Sequence, residues 1–110
     1  MRIDFTSVPE QHLEHFKGGE GVFHARIVVE SDAKILKGRL DAGASIGLHC
    51  HDSDGGEIIR IDSGRGYVLY EGERIPLETG DVHYCPKNHA HSLVNDSDDE
   101  LSFFAVIPLT

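Results

Sequence analysis

Residues 43–57 read Gly43-Ala-Ser-Ile-Gly-Leu-His49-Cys-His51-Asp-Ser-Asp-Gly-Gly-Glu57 and combine two histidines with a carboxylate. On a β-strand alternate side chains point to the same face, so His49 and His51 project together while Cys50 points away from them. The Asp- and Gly-rich residues 52–56 have the composition of a turn. A strand and a turn can therefore bring His49, His51 and Glu57 into one cluster.

A second stretch adds one more histidine. Residues 80–95 read Gly80-Asp-Val-His-Tyr-Cys-Pro86-Lys-Asn-His-Ala-His91-Ser-Leu-Val-Asn95, in which Pro86-Lys-Asn88 predicts a turn before His91. Three neutral imidazoles and one carboxylate suit a divalent transition metal such as Mn, Fe, Co, Ni, Cu or Zn. We therefore predict one such ion, bound by His49, His51, Glu57 and His91.

The order and spacing of these residues resemble the two sequence motifs of the cupin superfamily, and the resemblance covers residues 38–107. The first motif, at residues 43–64, has a glycine, five residues, His-x-His, and then Glu57, which six residues separate from Gly64. The second, at residues 80–95, has its glycine, proline, histidine and asparagine at the family's intervals. The gap from His51 to Glu57 is longer than is usual in the family, which makes Asp54 the alternative carboxylate, and Asn88 replaces a glycine.

The resemblance implies an all-β double-stranded β-helix, or jelly-roll barrel, with the metal ligands on its inner face. The rest of the sequence agrees, because after Gly21 short β-rich runs alternate with turn residues. Before Gly21, Ser7-Val-Pro-Glu10 resembles a helix capping box and Gly18-Gly19 a stop, which predicts at most one short helix over residues 8–17. The predicted strands are 22–29, 33–40, 58–61, 67–70, 74–77, 82–85, 91–94 and 101–107.

Composition restricts the class of protein. The chain has 110 residues, enough for one domain over residues 1–110, and 10 Lys and Arg against 19 Asp and Glu give a net charge of -9. That acidity argues against nucleic acid and anionic membranes as partners. No signal peptide is recognisable, so we expect a cytoplasmic protein with free Cys50 and Cys85 thiols, although a bridge between them is the alternative.

Residues outside the four predicted ligands give fewer functional indications. In the run 82–85, His83 and Tyr84 point to opposite faces of a strand, and either could reach the metal region, so both are candidates for the pocket. No catalytic acid or base can be assigned. His12 and His15 fall on one face of the predicted helix, with no acid or thiol to complete a site, so we expect them to be solvated.

Two functions of different classes fit this site. The first is a metalloenzyme of the dioxygenase, decarboxylase or isomerase type that acts on a small organic acid or carbonyl compound. The second is a non-catalytic module that binds or senses a small-molecule ligand through its metal. A metal that serves only for stability is a third alternative. Because an exposed edge strand favours pairing between copies, we also predict a homodimer, with the strand Val22–Val29 as the candidate interface.

Overall fold

Ten β-strands make up most of residues 1–52 and 54–109, which are the part of the chain described by the computed structural model. Two 3-10 turns, Phe5–Ser7 and Phe16–Gly18, are its helical elements. No helix among these residues is long and apolar enough to cross a membrane. The strands are β1 (Gln11–Glu14), β2 (Val22–Val29), β3 (Ala33–Leu40), β4 (His49–Cys50), β5 (Glu57–Ser63), β6 (Arg65–Tyr70), β7 (Glu73–Glu78), β8 (Val82–Cys85), β9 (Ala90–Val94) and β10 (Leu101–Pro108).

The strands form two antiparallel sheets, which confirms the predicted jelly roll. One sheet has six strands in the order β1-β2-β3-β10-β5-β8, and the other has four in the order β4-β9-β6-β7. Strands that are distant in the sequence are neighbours in both sheets, as in β3–β10 and β4–β9. The two parts of the predicted site therefore come from facing sheets, because β5 lies in the first and β4 and β9 lie in the second.

Alternating side chains fill the space between the sheets. In β10, Leu101, Phe103 and Ala105 are buried, and in β5, Glu57, Ile59 and Ile61 are buried. Residues between them face outward, as the two-residue period of a strand requires. The same face that packs the core therefore also presents Glu57. The fully or nearly buried hydrophobic residues include Phe23, Ala25, Leu36, Leu40, Ala44, Ile46, Val68, Leu77 and Leu93.

The predicted helix over residues 8–17 is wrong. Residues 11–14 form strand β1, in register with β2 through Gln11↔Ala25 and Leu13↔Phe23. The chain then turns back toward β2 with the left-handed backbone angles of His15 (φ 49°) and Lys17 (φ 54°). Pairing with β2 satisfies the backbone groups and packs Leu13 against the core, and this tertiary contact outweighs the local helix signal.

The proposed dimer edge needs correction in its first half. Residues 22–25 of β2 pair with β1, from Glu14↔Val22 to Gln11↔Ala25, and β2 pairs with β3 on its other side as far as Val29↔Lys34. The backbone groups of residues 22–25 are therefore not free to pair across a two-fold axis, whereas residues 26–29 have a partner only on the β3 side among the described strands. The homodimer itself stays a prediction.

Candidate metal centre and cavity

The register of two short strands brings the predicted ligands together. His49 on β4 is the cross-strand partner of His91 on β9. His51 follows β4 directly, and Glu57 is the first residue of β5 in the opposite sheet. The four side chains meet between the sheets, where their donor atoms lie within 4.8 Å of one another.

Glu57 lies at the centre of the cluster. Its Oε1 is 2.9 Å from Nε2 of His91 and 3.0 Å from Nε2 of His51. The two Nε2 atoms are 3.3 Å apart. Glu57 is 6% exposed and His91 is 1% exposed, so the carboxylate and this imidazole are withdrawn from bulk water. Nitrogen and oxygen donors converge here as a metal site requires.

Hydrogen bonds outside the cluster orient two of the imidazoles. The Nδ1–H of His49 donates to the carbonyl oxygen of Gly47 over 2.6 Å, and because a carbonyl only accepts, the lone pair of this neutral ring is on Nε2. Nδ1 of His91 lies 3.0 Å from Nε2 of His83, which leaves Nε2 of His91 directed at Glu57. Partners of this kind fix the tautomer and ring orientation of metal-binding histidines.

The protonation states also favour a cation. Burial lowers the pKa of His49 to about 4, against the opposing effect of the Gly47 carbonyl. Burial alone would raise the pKa of Glu57, but the hydrogen bonds from His51 and His91 outweigh it and hold this pKa at about 2. At neutral pH the site thus holds a neutral His49 imidazole and an ionised carboxylate, which are the protonation states a divalent ion needs. The residues present fit a divalent transition metal.

A cavity of about 250 Å³ opens beside the cluster. Its walls are mainly apolar, and Lys17, Lys34 and Asp52 add charges to the lining. The lysines could not be assigned to the site from the sequence, because their neighbouring residues carry no motif. The apolar residues of the lining are Phe16, Phe23, Ile27, Leu36, Ile46, Ile59, Leu93, Phe103, Ile107 and Leu109.

The two pocket candidates on β8, His83 and Tyr84, lie on opposite faces of the strand. His83 is buried and contacts His91, whereas Tyr84 is 51% exposed on the outer face. The register of β8 against β5, with Cys85 opposite Glu57 and His83 opposite Ile59, sets this orientation. Tyr84 therefore does not reach the cavity. His83 contacts Nδ1 of His91, the ring nitrogen that does not face Glu57.

Asp54, the alternative carboxylate, does not belong to the cluster. Asp54 is exposed, and its Oδ1 accepts from Nζ of Lys87 over 2.9 Å, outside the cluster. The extra length between His51 and Glu57 is absorbed in this turn, so Glu57 still reaches the site. Cys50 is exposed and Cys85 is buried, and both are free thiols.

The comparisons with known proteins agree with this architecture. The family model of the cupin domain matches residues 37–107. An oxalate-binding protein of Thermotoga maritima is 30% identical over 115 residues, covering 99% of this chain and 94% of that protein. The crystal structure of a predicted oxalate decarboxylase from Thermotoga maritima has a TM-score of 0.91 and 27% identity, with 100% of both chains covered. The polyketide cyclase RemF from Streptomyces resistomycificus shares the fold, with a TM-score of 0.78, 16% identity, and 100% of this chain and 80% of that chain covered.

Proposed function

Because the chain belongs to the cupin family, we propose that it binds one divalent transition metal and uses it to bind a small organic acid of the oxalate class. The ligands in this proposal are His49, His51, Glu57 and His91. The observation that carries it is the convergence of their donor atoms within 4.8 Å at one side of a small cavity.

The cavity limits the size of the ligand. Pockets for drug-sized molecules measure about 300–1,000 Å³, whereas this one is about 250 Å³. A compact acid fits such a volume, and a polymer or a large cofactor does not. Apolar walls formed by residues such as Ile46, Leu93 and Phe103 keep water away from the bound acid and strengthen its electrostatic contacts.

Charge favours an anion at the same place. Lys17 and Lys34 line the cavity of a protein whose net charge is -9, so they supply positive charge where an acid would enter. When bound, the metal would polarise a carboxylate or carbonyl oxygen through the coordination positions that the protein ligands leave open. An oxalate-binding protein among the relatives supports a dicarboxylate as the ligand.

A metalloenzyme that converts the acid is the second candidate. Lys17, Lys34 and Asp52 are titratable groups on the lining, and Asp52 precedes the turn before Glu57. In this candidate they would hold or transfer a proton at a bound acid. The resemblance to a structure described as a predicted oxalate decarboxylase favours this candidate. Binding is the better supported role, because Asp52 is exposed and no other carboxylate beside Glu57 lines the described cavity.

Calorimetry of the full chain tests the proposal. Protein loaded with Mn²⁺ should bind oxalate with a stoichiometry of one, and chelator-treated protein should not. Acetate is the matched control, because it has one carboxylate and cannot chelate through two. Equal oxalate binding with and without metal would contradict the proposal. Incubation of the loaded protein with oxalate then separates the two candidates, since decarboxylation converts hydrogen oxalate to formate and carbon dioxide, whereas a binding module returns oxalate unchanged.

A further inference from the structure

A second group of side chains of the types that bind metals lies on the outer face of the six-stranded sheet. His12 on β1 and His24 on β2 are cross-strand partners, and their Nδ1 atoms are 2.6 Å apart. In β2 the neighbours of His24, Phe23 and Ala25, are buried, so His24 points to the face opposite the cavity. This cluster is therefore separate from the metal centre between the sheets.

No local pattern in the sequence places these residues together. The sequence predicts His12 on a helix without an acidic neighbour. In the structure β1 pairs His12 with His24, Asp41 contacts His24, and Glu10 lies beside both rings. Nε2 of His24 is 2.9 Å from Oδ1 of Asp41, and because an ionised carboxylate only accepts, this nitrogen carries the proton. When the ring is neutral, the lone pair of His24 is then on Nδ1 and points at His12. A carboxylate behind a histidine is the arrangement that orients histidines toward metals.

Glu10 supplies an oxygen donor beside the two rings. Its carboxylate is held by Arg39, with Nη2 to Oε1 at 2.7 Å and Nε to Oε2 at 2.9 Å. The hydrogen bonds from Arg39 lower the pKa of Glu10 to about 2, so the group is ionised at neutral pH. Each carboxylate oxygen keeps a further lone pair, and one of them lies within 4.8 Å of ring nitrogens of His12 and His24.

We propose that His12, His24 and Glu10 form a second binding site for a divalent transition metal on the outer surface of the sheet. Two imidazoles and one carboxylate suit Zn, Co, Ni or Cu and disfavour Mg or Ca, which prefer oxygen donors alone. Asp41 and Arg39 hold two of the three ligands in place.

The geometry requires one small adjustment. Two metal–nitrogen bonds of about 2.0–2.1 Å at a tetrahedral angle place the nitrogens about 3.3 Å apart, whereas they are now 2.6 Å apart and share a proton. His12 is exposed, so its ring can rotate outward, and the metal takes the place of the proton on its Nδ1, while Nε2 of the same ring takes up a proton from solvent so that the imidazole stays neutral. The bound ion would link the edge strand β1 to β2.

Metal titration of the full chain tests the site, with Co²⁺ as the probe because its visible spectrum reports nitrogen ligands. Using His91→Ala as the background removes the cavity site, so failure of the proposed function and failure of this inference are distinguishable. We expect the His91→Ala chain to bind one equivalent in the micromolar range. Adding His12→Ala should abolish that equivalent, and adding His15→Ala, at a neighbouring exposed histidine outside the cluster, should leave it unchanged.

Asp41→Asn gives an independent check that leaves all three ligands intact. It should weaken the outer site by about 10–100-fold, the usual effect of losing a partner that orients a ligand, without altering the cavity site of the wild-type chain. The inference is overturned if the His91→Ala chain binds Co²⁺ only at millimolar concentrations, or if His12→Ala and His15→Ala titrate alike. Circular dichroism of each variant confirms that the sheet is intact.

Discussion

Replacing Glu57 with glutamine distinguishes a four-ligand site from a three-histidine site. Oε1 of Glu57 lies 2.9–3.0 Å from one nitrogen on each of two imidazoles, so a metal held by those nitrogens would also contact this oxygen. Glutamine keeps the shape of the side chain but removes its charge. Residues that only orient a ligand change metal affinity by about 10–100-fold, so we expect the loss of a direct, charged ligand to cost at least about 100-fold.

That loss can be converted to a thermal shift. At free metal 100 times the wild-type Kd, binding stabilises the folded protein by about 2.7 kcal/mol, and a 100-fold weaker variant gains about 0.4 kcal/mol. The entropy of unfolding for 110 residues is about 0.23 kcal/mol/K. Metal should therefore raise the Tm by about 12 °C in the wild type and by about 2 °C in Glu57→Gln.

Differential scanning fluorimetry with and without metal measures both shifts, and a chelator competition gives the two affinities directly. Glu73→Gln is the matched control, because Glu73 is exposed on β7 in the other sheet and should leave the metal-induced shift at the wild-type value. If Glu57→Gln shows the wild-type shift and affinity, the carboxylate is not a ligand and the site consists of three histidines.

Three further outcomes follow from the packing around the site. Replacing His83 with leucine removes the ring nitrogen that lies 3.0 Å from Nδ1 of His91. This change should weaken metal binding by about 10–100-fold in the same chelator competition. An unchanged metal affinity would mean that His83 does not orient His91. Phe103→Ala should lower the free energy of unfolding, measured in urea, by about 3–5 kcal/mol, because Phe103 is 1% exposed and stacks on another core ring. Its neighbour Phe104 faces outward, so Phe104→Ala should lower the free energy of unfolding by only about 1 kcal/mol. Equal losses in the two variants would contradict the register of β10. Iodoacetamide at pH 8 should label exposed Cys50 in the folded protein and spare Cys85, since burial raises the pKa of the Cys85 thiol to about 11. Mass spectrometry of peptides measures both, and labelling of Cys85 as complete as that of Cys50 would contradict the orientation of β8.

Much of the fold follows from local pattern. The bounds predicted for β2, β3 and β8 agree with the structure, because apolar residues and turn residues mark these strands clearly in the sequence. The cluster of His49, His51, Glu57 and His91 is also anticipated, since parity along a strand and the two motifs place the four residues on inner faces.

The remainder depends on contacts between distant segments. Strand β1 has a proline and a capping pattern before it, and only its pairing with β2 makes the extended conformation favourable. The same pairing creates the contact between His12 and His24, which no local pattern indicates. In β8, the alternation of side chains along the strand allows either His83 or Tyr84 to face the space between the sheets. The register of β8 against β5 determines that His83 does. Lys17 in a 3-10 turn and Lys34 on β3 line the cavity, although no sequence motif marks either of them.

Metal analysis of protein purified without an affinity tag tests the central claim most directly. The wild-type chain and His49→Ala are compared after identical dialysis, so any ion at the outer surface contributes equally to both. His49 donates its Nδ1–H to Gly47 and directs Nε2 inward, and its loss removes one of three imidazoles from the site. The account predicts that His49→Ala retains one equivalent of divalent metal fewer than the wild type. An unchanged metal content in His49→Ala would contradict the account.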